Sequence, residues 1–239
     1  MSLSTNFQPL YKQVYDVLVE RLVKGYWKPS EPLPSEFALA DELGVSQGTV
    51  RKAINQLVAE QLLRRRQGKG TFVSEHTQES SLFRFFRYRQ PGANNAIPET
   101  SILSVKRRMS TQVESQGLGL KKATEVVEMI RLRKIDNIPA IFETVLQPLT
   151  IFPDLDKEAE LPNSLYTLYQ EKYGISIVEV RDELHAVMAD AEVAKHLNLE
   201  PNTPVLMTER ASINIDGRIV EWSQAYCQSQ DFVYANKLK

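Results

Sequence analysis

Between Leu43 and Gln47 the chain has three residues, Gly44-Val45-Ser46, in which to end one helix and begin another. Upstream, "SEFALADEL" opens on Ser35, whose hydroxyl can cap a helix N-terminus. It stops at Gly44, which enters the left-handed conformation after a helix end without a steric penalty. Downstream, Ser46 caps "QGTVRKAINQLVA", in which Val50, Ile54, Leu57 and Val58 recur at helical spacing as a buried stripe. The opposite face carries Gln47, Arg51 and Asn55, each four residues from the last, with Lys52 beside Arg51. Helix, tight glycine turn and helix is the arrangement that lays a second helix in the DNA major groove, N-terminal residues at the base edges.

The flanks fit this reading. Pro9 can start a helix, and "LYKQVYDVLVERLVKG" follows with Val14, Leu18 and Leu22 at four-residue spacing, ending at Gly25. "WKPSEPLP" holds three prolines in eight residues and cannot be helical. Beyond the third helix, "LLRRR", "QGKG" and "TFV" read as a hairpin in which Gly68 and Gly70 permit positive φ. Lys69 at its tip is a narrow cationic wedge that can approach a minor groove or a phosphate, although in isolation it is also an ordinary solvated turn. Residues 1–74 hold ten Lys or Arg against seven Asp or Glu, the remainder nineteen against twenty-three, so a +3 segment precedes a −4 segment. A polyanionic partner is expected for the first segment only.

With 42% hydrophobic and 25% charged residues in 239, the chain is expected to be globular and long enough for two modest domains. It has no apolar run of bilayer length and no basic-then-apolar N-terminus, so neither membrane insertion nor secretion is expected. One cysteine, Cys227, can form no internal disulfide and fits a reducing cytoplasm.

Polar "SEHTQESS" reads as a linker, placed at residues 75–81 between a first domain at 1–74 and a second at 82–239. The second domain alternates strand and helix signals. Strands are expected at "TSILSVKRR", "VVEMIRLRKI", "AIFETVLQP", "ISIVEVRDELHAVMA", "PVLMTERASINI" and "RIVEWSQAYC", with helices at "SLYTLYQEKYG" and "DAEVAKHLN". Hairpins dominate, which describes an α+β domain with an antiparallel sheet and helices on one side.

Arg131 and Arg133 are two apart on one of these strands and share a face. A three-residue turn at Asn137–Pro139 would set Arg133 opposite Glu143; a two-residue turn would set it opposite Phe142. Ser164 and Tyr166 stand where a helix starts and free amide groups favour an anion, and Glu221 on the last strand can accept hydroxyl hydrogen bonds. On the residues alone, this is a cross-strand ion pair and a helix cap. His76, His185 and His196 are too dispersed for a local metal motif, and the chain has neither a nucleophile elbow nor a phosphate-binding glycine loop. No catalytic residue, metal or cofactor is expected.

"PLYKQV", "LPSEFALADELGVSQGTVRKAINQL" and "RRRQGKGTFV", in this order and spacing, resemble the winged helix-turn-helix domain of the GntR family of bacterial transcriptional regulators. The resemblance implies DNA binding by Ser35, Gln47, Gly48, Thr49, Arg51, Lys52, Gly68, Lys69 and Gly70. Arg51 and Thr49 fall on the family's recognition block, Ser35 and Thr49 on phosphate contacts, and Gly68-Lys69-Gly70 on its minor-groove wing. Gln47 stands where the family usually has arginine and suits adenine better than guanine. Ser30 and Gln61 stand where it usually has glycine. "RLRKIDNIPAIFE", "LPNSLYTLYQEKYG", "AEVAKHLNL" and "DGRIVEWSQAYC" are similar to the effector-binding UTRA domain of the HutC subfamily. That resemblance implies a chorismate lyase-like fold, a homodimer, and an effector pocket lined by Arg131, Arg133, Glu143, Ser164, Tyr166 and Glu221. The expectation is a cytoplasmic repressor that binds a near-palindromic double-stranded operator and responds to a sugar phosphate or carboxylate. The opposing reading is a DNA-tethered enzyme on the same fold, separable by ligand turnover.

Overall fold

The computed structural model describes residues 8–75, 78–93 and 97–236. The chain divides into two compact units, residues 1–75 and 76–239. His76 lies outside the described residues.

The first unit contains α1 (Leu10–Val23), α2 (Glu36–Leu43), α3 (Gln47–Ala59), β1 (Leu63–Arg66) and β2 (Gly70–Val73). Both α1 and α2 pack on α3, and Val14, Leu18, Leu39, Val50, Ile54, Leu57 and Leu63 are each 1% exposed or less. Val58, expected in the stripe, is only half buried; Ala53 takes the fully buried place instead. The Ser35 hydroxyl accepts from the Ala38 amide at 3.1 Å, Gly44 is left-handed at φ 65°, and the Ser46 hydroxyl accepts from the Thr49 amide at 3.2 Å. The caps and the glycine stop therefore do what their residue types demand. The wing pairs Leu63 with Val73 through Arg66 with Gly70, and Gly68 and Gly70 have φ of 70° and 112°. Ser30 and Gln61 adopt φ of 65° and 59°, the conformation that glycine adopts more easily.

The second unit is built on a six-stranded antiparallel sheet in the order β4-β5-β6-β9-β8-β7. Its strands are β4 (Glu99–Met109), β5 (Glu125–Ile135), β6 (Ile138–Pro148), β7 (Ile177–Met188), β8 (Pro204–Asn214) and β9 (Ile219–Gln228). Helices α4 (Gln78–Phe85), α5 (Gln112–Gly117), α6 (Leu165–Tyr173) and α7 (Ala191–Leu197) accompany it, and β3 (Tyr88–Arg89) pairs with β10 (Val233–Tyr234) in a small separate ribbon. All six expected strands and both expected helices are present. Helix α4 begins inside the stretch read as linker, because its first four residues are polar and precede the apolar spacing of Leu82, Phe85 and Phe86.

Helices cover both faces of the sheet rather than one. Val127 and Met129 of β5 pack with Tyr166 and Tyr169 of α6, whereas Ile130 and Leu132 pack with Val193, Ala194 and Leu197 of α7. Successive side chains of a strand point to opposite faces, so α6 and α7 lie on opposite sides. A central strand buried on both faces reads as a nearly continuous apolar run, such as "VVEMI" with Glu128 as its one charged residue, and carries little record of sidedness.

The β5–β6 turn is the pair Asp136-Asn137, with φ of 50° and 64°. A one-residue bulge at Ala140 then resets the register, placing Arg131 opposite Glu143 and Arg133 opposite Ile141. Neither turn weighed from the sequence gives this pairing. The bulge supplies the missing residue, and it restores the parity that puts Arg131, Arg133, Ile141 and Glu143 on one face.

Candidate functional sites

On the first unit, the ridge opposite the core stripe stands clear of the fold. Gln47, Gly48, Arg51 and Asn55 are exposed, and Thr49 is half buried with its hydroxyl 2.8 Å from that of Ser46. A side chain grown from Gly48 would meet only the Ser46 hydroxyl oxygen, at 3.8 Å. The backbone of the first turn is therefore open to a large partner. Arg51 Nε donates to Glu36 Oε2 at 2.7 Å, and Lys52 lies over the Tyr11 ring with Nζ 4.0 Å from its centroid. Of the DNA-binding expectations, Lys52 is thus drawn onto α1 and away from the ridge axis. Lys69 sits at the wing tip between its two glycines, and its amide closes the turn onto the Arg66 carbonyl at 2.9 Å.

On the second unit, all six residues expected of an effector pocket line one cavity of about 60 Å³. The sheet supplies Arg131, Arg133, Glu143 and Glu221, α6 supplies Ser164 and Tyr166 at its N-terminus, and α4 closes the space with Leu82 and Phe85. Glu143 Oε1 accepts from Arg133 Nε at 2.5 Å and is ion-paired with Arg131 Nη2 at 2.9 Å, all three side chains being 9% exposed or less. Burial by itself would raise the Glu143 carboxyl, but the two guanidinium groups hold it below the ordinary carboxylate range. Burial draws Arg133 down against the pull of Glu143.

Arg131 is only half satisfied. Its Nε and Nη1 are buried and have no hydrogen-bond partner among the described residues, and neither has the hydroxyl of Ser81 on α4. The Ser164 side chain makes no capping bond to α6. Below these groups, both oxygens of Glu221 are occupied, by Ser212 Oγ at 2.9 Å and by Tyr169 Oη at 2.5 Å. Tyr166 shares a 2.8 Å hydrogen bond with Ser212. Burial first, and then the Glu221 charge, push both tyrosine hydroxyls well above their ordinary range, so they remain neutral donors.

Of the polar residues that line the cavity, Ser81, Tyr88, Thr208, Arg210 and Ser223 escaped the sequence reading. Arg210 is held by Asp182 through two bonds of 2.7 Å across the β7–β8 pair. An arginine in "MTERAS" and an aspartate in "VRDEL" on neighbouring strands were a legible signal for that pair. Ser81 was hidden by its place in a polar stretch.

With the geometry established, similarity to known proteins is informative. Residues 10–73 match bacterial regulatory proteins of the gntR family, and residues 93–233 match the UTRA domain. The mannosyl-D-glycerate transport/metabolism system repressor MngR of Escherichia coli (strain K12) is 29% identical over 228 residues, covering 95% of each chain. The transcriptional repressor NagR of Bacillus subtilis (strain 168) is 27% identical over 229 residues, 95% of this chain and 94% of its own. Among solved structures, the ligand-binding domain of a GntR-family transcriptional regulator from Bordetella bronchiseptica superposes with a TM-score of 0.58. It is 26% identical and covers 66% of this chain and 99% of its own.

Proposed function

Since this chain belongs to the gntR family of bacterial regulatory proteins and carries a UTRA domain, we propose that it is a repressor whose hold on a DNA operator is set by a small anionic ligand in the second unit. The observation that carries this reading is Arg131, 4% exposed, with two buried guanidinium nitrogens that lack acceptors among the described residues. Leaving such donors unmatched is unfavourable, and a phosphate or carboxylate oxygen would satisfy them with charge-assisted bonds. The Ser81 and Ser164 hydroxyls and the α6 N-terminus converge on the same cavity and favour the same ligand class. Glu143 and Glu221 would then accept from sugar-like hydroxyls. The relative named for the mannosyl-D-glycerate system fits a ligand that joins a sugar to a carboxylate.

Ligand size suggests how the units communicate. A pocket for a small organic molecule usually measures roughly 300 to 1,000 Å³, well above the present 60 Å³. Binding therefore requires a wall to give way. The sheet is fixed by its ladders, whereas α4 is a short helix that follows the end of the first unit by only a few residues. Displacing α4 pulls on the segment that carries the DNA-binding unit, and in a homodimer this changes the spacing of two reading helices on a near-palindromic operator.

A thermal-shift screen of hexose 6-phosphates and small sugar carboxylates, followed by mass spectrometry of the recovered ligand, tests the proposal. A regulator gains stability from at least one compound and returns it unchanged. A chemically altered ligand would favour a DNA-tethered enzyme, and no response to either class would remove the anionic-ligand reading.

A further inference from the structure

Glu36 is the first residue of α2, yet its carboxylate joins two other elements of the first unit. Oε2 accepts from Arg51 Nε on α3 at 2.7 Å, and Oε1 accepts from Arg65 Nη2 on β1 at 3.0 Å. The Glu36 side chain is 19% exposed, against 54% for Arg51 and 47% for Arg65. A negative charge beside a DNA-reading face is at first sight misplaced, because it repels phosphates.

Which arm of Arg51 it holds resolves the difficulty. The carboxylate takes Nε and leaves both terminal amino groups, the pair that forks onto O6 and N7 of guanine or onto a phosphate. An unheld arginine on a solvent-facing ridge samples many rotamers and loses that freedom on binding; one pinned at Nε has already lost most of it. Arg65 offsets the carboxylate from the other side, so the three groups together still carry a net positive charge.

We infer that Glu36 is a positioning residue for sequence discrimination: by fixing the guanidinium of Arg51 it sharpens the choice among DNA sequences and lowers affinity for DNA in general. This rests on α3 being the DNA-reading helix. It separates from a merely structural role because the two affinities should move in opposite directions.

The test uses the full chain. A preferred duplex is first selected from a random pool. Binding is then measured by fluorescence anisotropy on that duplex, on duplexes altered at each base pair, and on random-sequence DNA at fixed salt. The proteins compared are wild type, Glu36→Gln, Glu36→Ala, Arg51→Ala and the Glu36→Gln/Arg51→Ala double variant. For Glu36→Gln the ratio of preferred to random affinity should fall about tenfold, the lower end for loss of one base-reading fork. Affinity for random DNA should rise, the melting midpoint should hold, and the double variant should lose nothing in discrimination beyond Arg51→Ala. An unchanged ratio, an equal loss on all duplexes, or a loss that adds to that of Arg51→Ala overturns the positioning role. If Arg51→Ala itself leaves the ratio unchanged, the reading of α3 falls as well. If Arg51→Ala lowers it and Glu36→Gln does not, only the role of Glu36 falls. Glu36→Ala repeats the comparison with no side chain left to hold either arginine.

Discussion

A glutamate shared by two arginines is found in each unit, and the surroundings make the two trios opposites. Arg51-Glu36-Arg65 lies in water, with both arginines about half exposed. Arg131-Glu143-Arg133 is buried to 9% exposure or less. In water the ions keep most of their hydration, so the pairing contributes little stability and mainly fixes direction. In the interior the hydration is gone, and each charge depends on the others for its stability. Under the proposed function, the same chemistry orients a side chain on one unit and would set a ligand-sensitive balance in the other, because an incoming anion would compete for Arg131 only where water does not.

This contrast has consequences of decreasing size. Glu143→Ala leaves two arginines buried without a counter-charge and should destabilise the second unit by about 3 to 5 kcal/mol, read from its chemical denaturation curve; a loss under about 1 kcal/mol would mean that the buried trio behaves like the exposed one. Acid should act on the same unit. The folded state holds Glu143 and Asp182 below their ordinary values, Asp182 by its bonds to Arg210 despite burial. The unfolded chain therefore takes up protons at a higher pH than the folded one. The stability these groups contribute is fully present at neutral pH, begins to fall as the pH drops through about 4.5, the ordinary glutamate value, and is lost as it passes the folded values. Denaturation midpoints for the second unit should decline across that window, and a flat profile there would argue against the buried pairing.

The first unit should respond more weakly. Gln61→Gly relieves a left-handed backbone at φ 59° and should stabilise that unit by up to about 1 kcal/mol, visible as a higher melting midpoint. Glu36→Gln should change stability by no more than roughly 0.5 kcal/mol. A larger loss would place the exposed trio in the structural class of the buried one.

The sequence carried the local decisions well and the relational ones poorly. Ser35, Gly44, Ser46, Asp190 and Gly174 each announce a helix boundary by a property of one residue, and each boundary is where that property puts it. Alternating apolar residues likewise mark the strands. The bulge at Ala140 is different: nothing in "IPAIFE" demands an extra residue, because the register is decided by what the arginines and Glu143 must share once the sheet is formed. Sidedness of the helices was hidden for the same reason, since β5 and β6 are apolar on both faces. In the cavity, residues contributed by a polar-patterned neighbourhood, such as Ser81, were invisible because burial came from packing of the following apolar turn.

The central claim, that the buried trio governs DNA release, is tested most directly on the pre-formed complex of the full chain with its selected duplex. Fluorescence anisotropy follows the complex during titration with whichever hexose 6-phosphate or sugar carboxylate most raises the melting midpoint, for wild type and for Arg133→Ala. Losing one charge-assisted contact should shift the release concentration by about tenfold to a hundredfold. The account predicts release for wild type and a variant that stays bound at that concentration while binding the duplex normally. A folded Arg133→Ala protein that releases DNA at the wild-type concentration would contradict it.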